Sequence, residues 1–126
     1  MPFAHWIPPP HLPKRFDTHF FLAPAPRHQV AAADLREVVS AAWLRPRTVV
    51  AAAEAAELNL MFATYMNLRW LAQFTAVGVA LAAAQARTVV TVISEPIDST
   101  NGRVFRIPDA AGYGETDILE HRLRRN

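Results

Sequence analysis

The sequence predicts a mixed α/β domain of the α+β kind, and three observations carry that prediction. Short runs rich in aromatic and β-branched residues lie near both ends, at residues 3–7, 16–23 and 88–93. Between them, alanine-rich stretches behind Pro46 and Thr75 carry helical signals. With 126 residues, 52% of them hydrophobic, the chain is long enough for one domain with a core and too short for two. Much of that fraction is alanine, so the core is thinner than the percentage suggests.

The first elements form a hairpin. Residues 3–7 are aromatic and suited to a strand, and Pro8, Pro9, Pro10 and Pro13 then forbid helix and central pairing. The proline cluster reads as a rigid connection in preference to a polyproline ligand. In the second strand, residues 16–23, Phe16, Thr18, Phe20 and Leu22 share one face, opposite Asp17, His19 and Phe21. Apolar groups on both faces predict a strand covered on both sides toward its end, which Pro24 and Pro26 terminate.

Residues 37–44 read as a strand anchored by Trp43, with helix as the alternative that their alanines leave open. Pro46 opens a helix expected to reach Leu58, with Val49, Val50, Ala53 and Ala56 toward the core. Glu54 and Glu57 lie one turn apart on its outer side, a spacing that can bind metal but is far commoner on a solvated face. Thr64 is the expected N-cap of a second helix and Thr75 that of a third, through residue 86. Residues 88–93 are the clearest strand. Residues 99–102, ending in Asn101-Gly102, predict a turn into a returning strand at 104–107, followed by a loop at 112–114.

Composition excludes several chemistries. Without cysteine there are no disulfides, thiolate metal sites or cysteine nucleophiles, which fits a cytoplasmic protein. No uninterrupted apolar stretch reaches membrane-spanning length, so no membrane association is expected. The net charge of +2 is small, and the dense basic cluster, Arg122, Arg124 and Arg125, reads as a solvated terminus; no nucleic-acid partner is expected. None of the five histidines pairs at the i, i+4 helical spacing of a metal site. No Gly-x-Ser-x-Gly elbow occurs, and the four glycines are too scattered for a phosphate-cradling loop. Asp34 and Glu37 sit where a loop can project them into a cleft or simply leave them in solvent.

One resemblance spans most of the chain. The ordered pieces Phe3-Ala4-His5-Trp6-Ile7, Arg15-Phe16-Asp17-Thr18-His19-Phe20-Phe21-Leu22-Ala23, Asp34-Leu35-Arg36-Glu37, Trp43-Leu44-Arg45-Pro46, Leu60-Met61-Phe62-Ala63-Thr64 and Gly112-Tyr113-Gly114 resemble the coenzyme A diphosphatase-related branch of the Nudix hydrolases. The resemblance implies a partial α/β/α sandwich around a mixed sheet, with a helix-rich C-terminal half. It covers residues 1–114 as one N-terminally truncated domain, followed by a basic tail at 115–126. Family members hydrolyse a nucleoside diphosphate linked to another group, using magnesium or manganese held by the glutamates of a box, Gly-x5-Glu-x7-Arg-Glu-x-x-Glu-Glu-x-Gly.

No part of this sequence matches that box, so no metal ligand and no cofactor is carried over, and the chain is expected to be inactive alone. Glu37 matches the glutamate of the family's Asp-Gly-x-Glu segment and is the one catalytic residue the resemblance nominates. Leu35 replaces the usual glycine there, Pro8 stands where threonine is common, and Ala63 replaces a proline. A nucleoside diphosphate-type small molecule is the implied ligand, and sheet edges left open by the truncation imply self-association. The alternative is a non-catalytic nucleotide- or protein-binding module using Trp6, Phe21 and Trp43.

Overall fold

Strand β1 (Pro2–Ile7) is the middle of the first sheet, and the rest of that sheet is built on it. The computed structural model describes residues 1–120 and has mixed helices and strands, an α+β fold. β1 pairs antiparallel with β2 (Thr18–Phe21) across the proline-rich turn. It pairs in parallel with β3 (Thr91–Ile93), far along the chain. A parallel neighbour needs a long crossover, and helices α1 (Pro46–Glu54), α2 (Phe62–Leu71) and α3 (Val77–Ala86) all lie within it. A second, antiparallel sheet follows at once, as β4 (Glu95–Ser99), β5 (Gly102–Arg106) and β6 (Asp117–Leu119). Only the buried Ser94 separates the two sheets along the chain.

The core sits where α2 meets the inner face of the first sheet. The β1–β2 register shifts between Pro2 and Ala4, and such an irregularity lets adjacent residues turn to the same side. Phe3 and Ala4 are accordingly both buried. The Phe3 ring stacks on Trp70 of α2 at 5.6 Å, and Trp6 meets Phe62 edge-on at 5.4 Å. Tyr65 and Met66, also on α2, are fully enclosed, with Val92 and Ile118 completing the centre. Each such side chain contributes about 1.5–3 kcal/mol by leaving water. α3 contributes little, since among its residues only Ala84 is buried.

The N-terminal hairpin forms as predicted, and the Asn101-Gly102 turn does send the chain back, but the returning strand pairs with β4, which was not predicted, while β3 joins β1 in the first sheet. β2 departs from expectation in being covered on one side: its alternate residues His19 and Phe21 are exposed, Phe21 at 65%, and Phe16, just ahead of the strand, is exposed as well. Residues 37–44 form neither strand nor helix. Asp34 Oδ1 accepts hydrogen bonds from the Arg36 and Val38 N–H groups, both at 3.0 Å, in a local turn that replaces strand pairing. Leu35 takes a positive φ of 60° within that turn, and the segment joins neither sheet among the described residues. Trp43 is therefore no anchor, being 69% exposed.

The first helix stops at Glu54, short of Leu58, because Ala56 turns left-handed at φ 60°. The Ala56 N–H bonds Ala53 O and the Glu57 N–H bonds Ala52 O, the paired closure that ends many helices. Ala56 is consequently exposed and does not face the core. Neither threonine caps as expected: Met61 precedes α2 and Ala76 precedes α3, each without a side-chain cap. For α2, packing of Phe62 between Trp6 and Phe105 starts the helix earlier than cap chemistry alone would. β3 is shorter than the predicted run. β6 lies within the stretch read as a tail, whereas Arg122, Arg124 and Arg125 fall outside the described residues.

Candidate metal centre

The outer face of the first sheet carries a transverse row of polar side chains. Register places His5 of β1 opposite His19 of β2 on one side and Thr91 of β3 on the other. Asp17, just before β2, joins them from the end of the turn. The two imidazoles stack at 4.0 Å between centroids with planes only 6° apart. His5 Nε2 lies 2.5 Å from Asp17 Oδ1, and His19 Nε2 lies 3.4 Å from the same oxygen. One ligand atom from each of His5, Asp17 and His19 falls within 4.8 Å of the others, the only such group among the described residues.

Thr91 fixes the far side of His5, its Oγ1 lying 2.7 Å from His5 Nδ1. The tautomer follows from what Nε2 does. With Nε2–H donating to Asp17, neutral His5 accepts from the Thr91 hydroxyl at Nδ1. With the Nε2 lone pair given to a cation, Nδ1–H donates to Thr91 Oγ1. The hydroxyl serves either state, and the second arrangement is the usual outer support of a metal-bound imidazole. Exposure is graded across the cluster: the His5 side chain is 15% exposed, that of His19 54% and that of Asp17 63%. The site is thus open to solvent on the His19 side and anchored on the His5 side. The proline turn feeding Asp17 is held by Arg15, whose Nε–H donates to Pro8 O at 2.9 Å.

A second polar constellation lies on the inner side. The Trp6 indole N–H donates to Tyr113 OH at 2.9 Å, and that hydroxyl donates to Asn67 Oδ1 at 2.6 Å. The Asn67 amide nitrogen is buried without a partner. Arg87 lies over the Trp70 and Tyr113 rings at 4.7 and 4.6 Å and donates to Ala111 O. Burial holds the Arg87 pKa below its ordinary value and lifts that of Tyr113, although the Trp6 hydrogen bond and the Arg87 charge pull Tyr113 the other way. Each of these groups except that nitrogen has an internal partner, so the constellation locks the β1–α2 junction.

Glu37 lies exposed within the Asp34 turn, and the structure does not bring it into the histidine cluster. Asp34 spends its carboxylate on its own backbone, and those N–H donors hold its pKa below the ordinary value. Glu54 is the last residue of α1 and its Oε1 accepts from the Tyr65 hydroxyl at 2.8 Å, while Glu57 lies past the helix end. Of the aromatic residues expected to bind a ligand, Trp6 is buried, while Phe21 and Trp43 are exposed. The His5–Asp17–His19 group escapes a search for histidines at helical spacing because it is assembled across strands. The signal lay in the hairpin itself, which places a histidine inside each of two facing strands. No protein-family model, curated protein or solved structure matches this chain.

Proposed function

We propose that this chain is a Nudix-type hydrolase-like module that binds a nucleoside diphosphate-type ligand, including coenzyme A-like diphosphates, and does not hydrolyse it alone. The observation carrying this reading is the ordered run of residues from Phe3 to Gly114, whose leading pieces form one hairpin in a mixed sheet with α2 behind it. The resemblance implies a mixed sheet between two helical layers; here α2 packs on one face of a mixed sheet, and the other face carries the exposed His19 and Phe21. The family reaction needs magnesium or manganese on box glutamates to neutralise diphosphate charge and activate water. This sequence has no such box, so the 126-residue polypeptide lacks the ligands for that step. The cysteine-free composition supports a cytoplasmic location. For the described residues, no helix is long and apolar enough to cross a membrane.

Calorimetric titration with ADP-ribose and with coenzyme A, beside chromatographic detection of AMP and adenosine 3′,5′-bisphosphate, the products of cleaving their diphosphate bonds, in magnesium or manganese, tests the proposal. Saturable binding without metal-dependent turnover is the expected result. Turnover that disappears in Glu37→Gln while binding persists would restore an enzyme with Glu37 in its machinery. Neither binding nor turnover would remove the Nudix reading. The second reading is a protein-binding module, favoured by the exposure of Phe16, Phe21 and Trp43.

A further inference from the structure

We propose that His5, His19 and Asp17 bind a divalent first-row transition ion of the zinc type on the outer face of the first sheet. The donor set decides the class of ion. Two imidazoles and one carboxylate suit zinc and its neighbours, whereas magnesium and calcium demand mostly oxygen ligands. Three protein ligands leave the remaining positions to water. The site differs in residues and in ion from the metal centre of the Nudix reaction, and it stands whether or not that reading does.

The geometry is close to what binding requires. Donors around a tetrahedral ion with bonds of about 2.1 Å lie roughly 3.4 Å apart. His19 Nε2 and Asp17 Oδ1 already stand at 3.4 Å. His5 Nε2 and the same oxygen are at 2.5 Å and need to open as the shared proton leaves. The stacked rings at 4.0 Å point their lone pairs side by side, so the half-exposed His19 ring has to swing out of the stack. His5 stays fixed, because Thr91 Oγ1 accepts the hydrogen bond from the Nδ1–H that zinc binding at Nε2 demands.

Zinc titration of the untagged full chain by calorimetry tests this, with Zn2+ alone as the probe. One equivalent is expected to bind and to resist displacement by excess magnesium. His19→Gln and Asp17→Asn are each expected to weaken binding at least tenfold, and Thr91→Val about tenfold through the lost outer support. A His11→Gln/His28→Gln double variant is expected to bind as the unmodified chain does. The second readout needs no variant: on zinc addition the Nε2 resonances of His5 and His19 shift together, and His5 changes from the Nε2–H tautomer to the Nδ1–H tautomer that donates to Thr91 Oγ1. Absence of stoichiometric binding overturns the proposal, as does undiminished affinity in His19→Gln or loss of binding in the His11/His28 variant.

Discussion

The Tyr113 hydroxyl stands between the Trp6 indole N–H and the Asn67 carbonyl oxygen, donating to one partner and accepting from the other. Removing it orphans both in a site where the Asn67 nitrogen already has no partner. An orphaned buried group costs about 1–3 kcal/mol, so Tyr113→Phe should lower unfolding free energy by about 2 kcal/mol or more in urea titrations. A loss below about 0.5 kcal/mol, within the spread of ordinary surface substitutions, would mean the network adds nothing. The same residue makes an alkaline prediction. Burial lifts its pKa above the ordinary 10.0, so the folded chain keeps a proton that the unfolded chain releases. The associated stability is complete below about pH 10 and declines as pH rises toward the folded value. Tyr113→Phe should remove that part of the slope while leaving the curve below pH 10 parallel.

At the scale of elements, the helices carry two opposite mismatches between residue and conformation. Ala56 holds a left-handed position that favours glycine, at the end of α1. Gly78 occupies helical backbone in α3, where an added Cβ meets nothing within 4 Å. Ala56→Gly should therefore stabilise by about 1 kcal/mol and Gly78→Ala by about 0.5 kcal/mol, both read from urea midpoints. In the second sheet, Arg106 and Asp117 face each other across β5 and β6 in a two-pronged pair at 2.8 and 2.9 Å. The Arg106 hydrogen bonds hold the Asp117 pKa below 3.8, so the pair's contribution is present above that pH and lost as pH falls through the folded value. Asp117→Asn should flatten stability against pH in that acid window and leave the neutral slope unchanged. These elements also show where sequence was informative. The N-terminal hairpin and the second turn were legible because the proline cluster and Asn101-Gly102 specify turns locally, but β4, with Pro96 and Asp98 in it, carries no strand composition. The segment at 37–44 was not, because Val38, Val39 and Trp43 satisfy strand composition without any strand to pair with. Helix starts were misplaced for a similar reason: packing of Phe62 outweighs the cap that Thr64 offers. In the histidine cluster each residue was visible, but their convergence depends on register and on how the turn delivers Asp17.

For the molecule as a whole, the outer face of the first sheet is its open side. β2 is an edge strand with Phe21 exposed upon it, and Phe16 projects just ahead of it. Unpaired backbone beside apolar surface favours edge-to-edge pairing, so the chain should associate as concentration rises. Phe21→Lys should shift sedimentation toward monomer while leaving the circular dichroism spectrum unchanged; unaltered association would clear this edge of responsibility. The parallel pairing of β1 with β3 has a consequence in time. Its partners His5 and Thr91 are 86 residues apart, and closing a loop of that length costs about 4 kcal/mol in chain entropy before any contact repays it. The β4–β5 hairpin has only Thr100 and Asn101 between its strands, and such hairpins close within microseconds. A ribosome emitting this chain would release Phe3 and Trp6 long before the strand that completes their sheet, leaving them for a chaperone to cover. In refolding, the second sheet should acquire its structure first, and joining the N-terminal hairpin to β3 should set the pace.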